Sequence, residues 1–408
     1  MSDFKFILNK NLKKAGQGAD LSLLDAETAR VVGDFHKSFR EYQVTPLVDL
    51  KALAADFGLG RIWVKDESRR FGLNAFKVLG GAFAIGRYLA QKLGRDISGL
   101  TREILASDEI RAKVGQITFA STTDGNHGRG VAWTARQLGQ KAVIYMPKGS
   151  ARIRVEHILA AGAECRVTDM NYDDTVRMTE AKARENGWVV VQDTAWEGYT
   201  EIPTWIMQGY MTLAVEALEQ IKAAGERRPS HLFLQAGVGS FAGATLGFMA
   251  AALGDDMPIT AIVEPQKAAC IFNSASVGDG RPHPVGGAMD TIMAGLACGE
   301  PSLISWGLLR DYASAYISMP DFVAANGMRI LGAPLRGDAP VISGESGAAA
   351  AGALEYIMKR PEAAELREAL KLDGDSKVLL ISTEGDTAPE IYRDIVWFGG
   401  FADGVPDK

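Results

Sequence analysis

Cysteine is scarce in this 408-residue chain: Cys165, Cys270 and Cys298 are the only three, with no CxxC pair and no histidine-rich metal spacing. An odd, small count argues against a disulfide framework and for a reducing compartment, with the thiols as buried fillers. Cys270 and Cys298 flank one glycine-rich segment, and spacing alone does not decide whether they meet. Positive charge is also in short supply, since 44 Lys and Arg stand against 50 Asp and Glu, for a net charge of −6. With no long basic run, nucleic acid and anionic membranes are not the expected partners. The first residues, MSDFKFILNKN, lack the apolar core and small-residue cleavage pattern of a secretory leader, so the expected location is the cytoplasm. Long apolar runs are missing too. The one uncharged stretch, Leu232 to Gly254, is broken by glycines at 237, 239, 243 and 247, and it reads as strand, loop and helix rather than as a membrane span.

What is present is the composition of a globular protein, 47% hydrophobic and 23% charged, in a chain long enough for two or more domains. Short apolar, β-branched runs recur at 61–66, 116–122, 141–147, 188–193, 231–237, 258–265 and 377–383. Helical patterns lie between most of them, over 76–93, 126–138, 151–161, 173–186, 204–224 and 241–253. This alternation predicts an α/β protein whose mostly parallel, open twisted sheets are flanked by helices. In such folds ligands collect at the carboxyl ends of the strands. No internal repeat or low-complexity linker marks a domain boundary.

Three segments carry the chemistry. In NAFKVLGGA, Lys77 sits between Phe76 and Val78 where an apolar helix begins. Apolar surroundings disfavour an ammonium and so prepare a lysine as a nucleophile, although most lone lysines simply extend to water. In LFLQAGVGSFAG, a strand leads through Gly237, Val238, Gly239 and Ser240 to Gly243 at the start of a helix. Glycines admit an anion close to the backbone, and the free amides of a helix start point at it, which makes a phosphate cradle. The spacing GxGxxxG matches neither the dinucleotide fingerprint nor a P-loop. In FASTTDGNHGRG, a polar turn with Thr123, Asp124 and Asn126 again joins strand to helix. His127 reads there as an ordinary first-turn residue, because no second His or Cys stands at ligand spacing; no metal site is expected.

The order of an FK lysine after KDE, then GNHG, then a glycine loop, then a last strand ending ISTEGD resembles the fold-type II pyridoxal-phosphate enzymes. That family includes the serine and threonine dehydratases and the tryptophan synthase β chain. The resemblance spans roughly residues 40 to 390. It implies pyridoxal 5'-phosphate bound in a cleft between two domains, a large one from 1–84 and 204–408 and a small one, 85–203, inserted between them. Lys77 would join the cofactor's aldehyde. Asn126 would bond the ring oxygen, the loop from Gly237 to Gly243 would hold the phosphate, and Ser382 or Thr383 would meet the pyridine nitrogen. Glu345, in SGESGAAAAG, stands either near that ring or as decoration of a helix start. The family also implies a homodimer acting on a small amino acid.

Two aspartates depart from the dehydratases. Asp124 stands in the turn that usually receives the substrate carboxylate, where like charges repel. Asp193, in QDTAWEGYTEIP, opens a strand-end loop with Trp196 and Tyr199. Both resemble the branch of the family that acts on 2,3-diaminopropionate. That resemblance implies α,β-elimination to pyruvate and two ammonia, with Lys77 as base for the L isomer, Asp124 for the D isomer and Asp193 holding the substrate ammonium. The alternatives are a serine, threonine or D-serine dehydratase, and an amino-acid-binding protein that keeps the cofactor without turnover.

Overall fold

Apolar runs that are buried on both faces form parallel strands here, as their alternation with helices requires. The computed structural model describes residues 4–403 and contains, among them, eleven strands in two sheets. They are β1 (Lys5–Leu8), β2 (Leu47–Asp49), β3 (Arg61–Asp66), β4 (Thr118–Thr122), β5 (Lys141–Met146), β6 (Glu164–Val167), β7 (Val189–Val190), β8 (His231–Gln235), β9 (Ile259–Pro265), β10 (Ala315–Met319) and β11 (Lys377–Ser382). The larger sheet runs β1-β10-β9-β8-β11-β3-β2. Its five inner strands are parallel, and β1 and β2 close its edges antiparallel. The smaller sheet, β6-β5-β4-β7, is parallel throughout.

All seven expected strands are present, the fourth much shortened. Only Val189–Val190 pair as a strand, after which the chain leaves the ladder by one backbone bond, Val191 N to Ala120 O at 2.8 Å, and turns toward the interior. The uncharged stretch after Ser230 is indeed strand, loop and helix, and no helix among the described residues is long and apolar enough to cross a membrane. The three thiols are unpaired.

Two close helix crossings bring the site together. Helix Val78–Lys92, which starts at Lys77, crosses helix Glu201–Ala223 at Gly80 and Gly209; a Cβ on Gly209 would lie 2.4 Å from the Leu79 carbonyl oxygen and 2.8 Å from Gly80 Cα. Buried His36 bridges the same crossing, with Nε2 2.9 Å from Leu79 O and Nδ1 2.7 Å from Thr212 Oγ1. Helix Asn126–Gln137 approaches the same lysine end through Gly130, where a Cβ would lie 2.8 Å from Val78 Cα. Below the lysine, a buried ionic network fixes the turn Glu67–Gly72: Arg70 holds Glu67 and Glu216 at 2.8 Å each, and Lys65 holds Glu216 at 2.7 Å. Each ion there is paired and bonded further, as buried charge requires.

Gly209→Ala is expected to push the lysine helix off its neighbour at a cost of about 1–3 kcal/mol, typical of overpacking. A lower thermal midpoint, with less cofactor retained after dialysis, checks it; an unchanged midpoint would show that the crossing yields freely.

Candidate active site

Lysine 77 reaches its position through a strained turn. After β3 the chain passes Phe71 (φ 49°) and Asn74 (φ 58°), both left-handed, and Asn is among the few residues that tolerate this. Ala75 then bridges Glu384, and Phe76 N donates to Thr383 O at 3.0 Å, so the lysine segment is pinned to the end of β11. The residue after β4 begins a second turn, in which Thr123 Oγ1 accepts from Gly125 N and Gly128 N at 2.9 and 3.0 Å. Gly125, at φ 150°, leaves room for Arg154, whose Cδ a Cβ there would meet at 3.0 Å. Past β8, Gly239 (φ 95°) turns the chain into helix Ser240–Leu253. These carboxyl ends, from both sheets, open on one cavity.

Lys77, Asp124, Asn126, Asp193, Gly237, Val238, Gly239, Ser240 and Thr383 all line that cavity. Gly243 does not. It lies one turn into the helix, where its missing side chain accommodates Ser305, whose Cβ an added Cβ would meet at 3.1 Å. Ser382 also turns away, donating to Ser343 Oγ at 2.7 Å, whereas Thr383 Oγ1 accepts from Gln235 Nε2 at 3.0 Å on the cavity side. Glu345 stands behind the wall, 3.8 Å from Arg154 Nη2; burial and Glu384 push its carboxyl up to about 7 against the pull of Arg154. Trp196 and Tyr199 stack on one another at 4.3 Å outside the cavity, and the Tyr199 hydroxyl pins the loop by donating to Val190 O at 2.9 Å.

The electrostatics centre on one pair. Lys77 Nζ donates to Asp193 Oδ2 inside the cavity wall. Burial pushes the ammonium's pKa down, as its apolar neighbours suggested, but Asp193, with Tyr210 and Asp124, outweighs burial and the net shift is upward. Apolar surroundings thus do not act alone on this lysine: the carboxylates beside it favour its charged form. Asp193 is 2% exposed; burial pushes its carboxyl up, yet the Lys77 ammonium beside it holds it down at about 2. Asp124 Oδ2 lies 3.4 Å from Nη1 of Arg154, itself only 5% exposed.

Several lining residues were not singled out from the sequence. Gln235 is a polar terminus on an apolar strand, a usable signal. Glu384 accepts from Asn126 Nδ2 and from Ser346 N at 3.2 Å, and it places a carboxylate beside Thr383. Tyr172 accepts from Gln192 Nε2 at 2.7 Å. Tyr210, packed on Phe76 of the wall at 4.7 Å, comes from the middle of an apolar helix, where no local pattern marks it. Its hydroxyl is buried close to Asp193, which after burial is the strongest influence on it and pushes its pKa further up.

This wall fits a phosphorylated aldehyde. The glycine turn Gly237–Ser240 lines the cavity where helix Ser240–Leu253 begins, so the free amides of that helix start open on it. A lysine amine and a helix N-terminus opening on one cavity between parallel sheets define an enzyme class that joins an amine to an aldehyde cofactor held by its phosphate. Comparison with known proteins agrees. A family model described as pyridoxal-phosphate dependent enzyme matches residues 39–384. The chain is 55% identical over 396 residues to the diaminopropionate ammonia-lyase of Salmonella typhimurium, covering 97% of this chain and 98% of that one. To the Escherichia coli enzyme of the same name it is 52% identical over 403 residues, covering 98% and 99%. The holo crystal structure of the E. coli enzyme superposes with a TM-score of 0.91, covering 98% of each chain at 52% identity. A second structure of that enzyme, in complex with an aminoacrylate-PLP azomethine intermediate, superposes at 0.89 with 51% identity and the same coverage. The chain is thus a fold-type II pyridoxal-phosphate-dependent enzyme. Within that class it belongs to the diaminopropionate ammonia-lyase family.

Replacing Asp193 by Asn removes the charge that outweighs burial, so the pKa of Lys77 is expected to fall. Cofactor-free protein then reacts faster at Lys77 with an amine-directed reagent at mildly alkaline pH. Peptide mass mapping of quenched samples measures the rate, and an unchanged rate would mean that another group controls the lysine.

Proposed function

We propose that this protein catalyses α,β-elimination of 2,3-diaminopropionate to pyruvate and two ammonia. The observation that carries the reading is that two carboxylates, Asp124 and Asp193, line the same cavity as the amine of Lys77. When bound, the cofactor supplies the aldehyde that captures the substrate's α-amine and a ring that absorbs charge when Cα loses its proton. Lys77 would hold that aldehyde, Asn126 would bond the ring oxygen, and Gly237 to Ser240 would hold the phosphate with backbone amides. Thr383 is favoured over Ser382 for the pyridine nitrogen because only Thr383 lines the cavity.

The chain's own groups then divide the work. Lys77 Nζ takes the Cα proton of the L isomer. The Asp124 carboxylate takes it from the D isomer, because opposite enantiomers offer that proton to opposite faces of one plane. Asp193 binds the substrate's side-chain ammonium, which leaves as ammonia; water then releases the second ammonia and pyruvate. Arg154, close to Asp124, offsets part of the carboxylate's repulsion toward an incoming α-carboxylate. We further propose a homodimer in the cytoplasm, with no nucleic-acid or membrane partner, and with residues 85–203 as a small domain set in a large one from 1–84 and 204–408. Symmetric pairing is the default for soluble enzymes, the three free thiols suit a reducing compartment, and all four strands of the smaller sheet fall within 85–203.

The test is product stoichiometry. Purified protein is expected to give two ammonia per pyruvate from diaminopropionate and slow turnover of serine; the D-serine complex of the E. coli relative makes serine the natural comparator. Asp124→Asn is expected to lower kcat for the D isomer by roughly 10²–10⁴, the range for loss of a general base, and to spare the L isomer. Equal losses on both isomers would refute the division of labour, and a preference for serine would refute the reaction.

A further inference from the structure

His127 is a buried group that the proposed steps leave idle. Its ring is 1% exposed and lies in the first turn of helix Asn126–Gln137, on the cavity wall. Nε2 stands 2.8 Å from the Val191 carbonyl oxygen. A carbonyl only accepts, so this nitrogen carries the ring's hydrogen, and in the neutral imidazole Nδ1 is a bare lone pair. That lone pair is buried without a partner, 3.9 Å from Asp193 Oδ2. Two acceptors that face each other out of water are unfavourable unless a donor serves both. The ring does not resolve this by taking a proton: burial holds its pKa below the ordinary value despite Asp193, and Lys77 adds to the effect.

Lys77 now supplies the donor to Asp193. Once its nitrogen is joined to the cofactor's aldehyde, that free ammonium is no longer available to the carboxylate. Asp193 and His127 Nδ1 then share one requirement, a compact cation with several N–H groups.

We infer that His127 Nδ1 and Asp193 together bind the ammonium on the substrate's β-carbon, the imidazole as neutral acceptor and the carboxylate as charged one. The inference rests on the diamino-acid elimination proposed above and adds to it the basis of selection against a hydroxyl. An ammonium offers three hydrogens and satisfies both acceptors at once. A serine hydroxyl has one, so one buried acceptor stays unpaired. The pair also keeps the leaving group protonated. When the Cβ–N bond breaks, its electrons go to nitrogen and neutral ammonia departs, while the electrons left by the Cα proton form the Cα–Cβ double bond.

Two measurements test it on the holoenzyme. The first titrates wild-type protein, labelled with ¹⁵N in its histidine rings, with 2-methyl-2,3-diaminopropionate or 2-methylserine, neither of which has a Cα hydrogen to lose. A His127 Nδ1 resonance of an unprotonated nitrogen that shifts with the diamine and not with the alcohol supports the inference. The second measures how His127→Phe changes the binding preference for the diamine over the alcohol, read from cofactor absorbance. A loss of about tenfold or more is expected, the scale of one unpaired buried polar group. An Nδ1 that carries hydrogen, an Nδ1 indifferent to the diamine, or a variant that weakens both analogues alike would overturn the inference; the last is what a purely structural histidine would do. If the variant does not fold, the wild-type titration decides alone. Failure of the elimination itself is distinguishable, because it would appear in the wild type as serine turnover without diaminopropionate turnover.

Discussion

One ion pair, between buried Asp193 and partly exposed Lys77, organises the cavity. An ammonium taken out of water is costly unless a carboxylate stands with it, and Asp193 is that carboxylate for Lys77. The two arrive from different sheets: Lys77 follows β3 in the larger, Asp193 follows β7 in the smaller. Their attraction therefore ties the walls of the cavity together. The same pairing sets a chemical condition, because an amine attacks an aldehyde only when neutral, and Asp193 holds Lys77 charged. The carboxylate is a resting partner for the lysine and, in the proposed reaction, an acceptor for a second ammonium once the first is committed.

Such a pair is useful only if its geometry does not drift, and the scaffold supplies that stiffness by removing side chains rather than adding them. Gly80 leaves room for the Tyr210 ring, whose Cε1 a Cβ there would meet at 2.6 Å, and Tyr210 in turn packs on Phe76 at 4.7 Å. Gly130 lets the helix that begins at Asn126 approach the backbone of Val78. Glycines that look like turn or flexibility signals in a sequence are here points of close backbone approach within helices. Each converts a helix crossing into a fixed position for a residue on the cavity wall.

This explains what was legible in the sequence. β3, β8 and β11 announced themselves because strands covered on both faces are rich in apolar, β-branched residues, even where a buried polar group such as Lys65 interrupts them. β6, with the sequence ECRV and an exposed edge, and β1 and β2, short strands on the rim, carry no such constraint and were missed; β10, although buried at every position, was missed as well. The same distinction holds in the site. Lys77, Asp124, Asn126 and the glycine turn lie at strand-to-helix junctions, where local pattern and position coincide. Tyr210 and Glu384 owe their place to partners more than a hundred residues away, and His127 acquires meaning only through the Val191 carbonyl that fixes its tautomer. Whether Ser382 or Thr383 faces the cavity was beyond sequence reasoning for a related reason: adjacent residues at a strand end point to opposite faces, and only the sheet's setting says which face is inward.

The charge of the wall bears on what the cavity selects. Lys77 on the wall and Arg154 beside Asp124 are its cations, set against Asp124, Asp193 and Glu384, with the Glu345 carboxyl behind them pushed up by burial. A cofactor phosphate adds further negative charge, so a second ammonium on the substrate enters a field that favours it, and a neutral β-hydroxyl gains nothing from that field. Discrimination by charge excess alone would be loose, since any cationic amino acid would benefit. What narrows it is the pair of acceptors, Asp193 Oδ2 and His127 Nδ1 3.9 Å apart, which only an ammonium within reach of both satisfies. A longer diamino acid would carry its charge past the carboxylate and leave Asp193 buried and unpaired, which is the more expensive error.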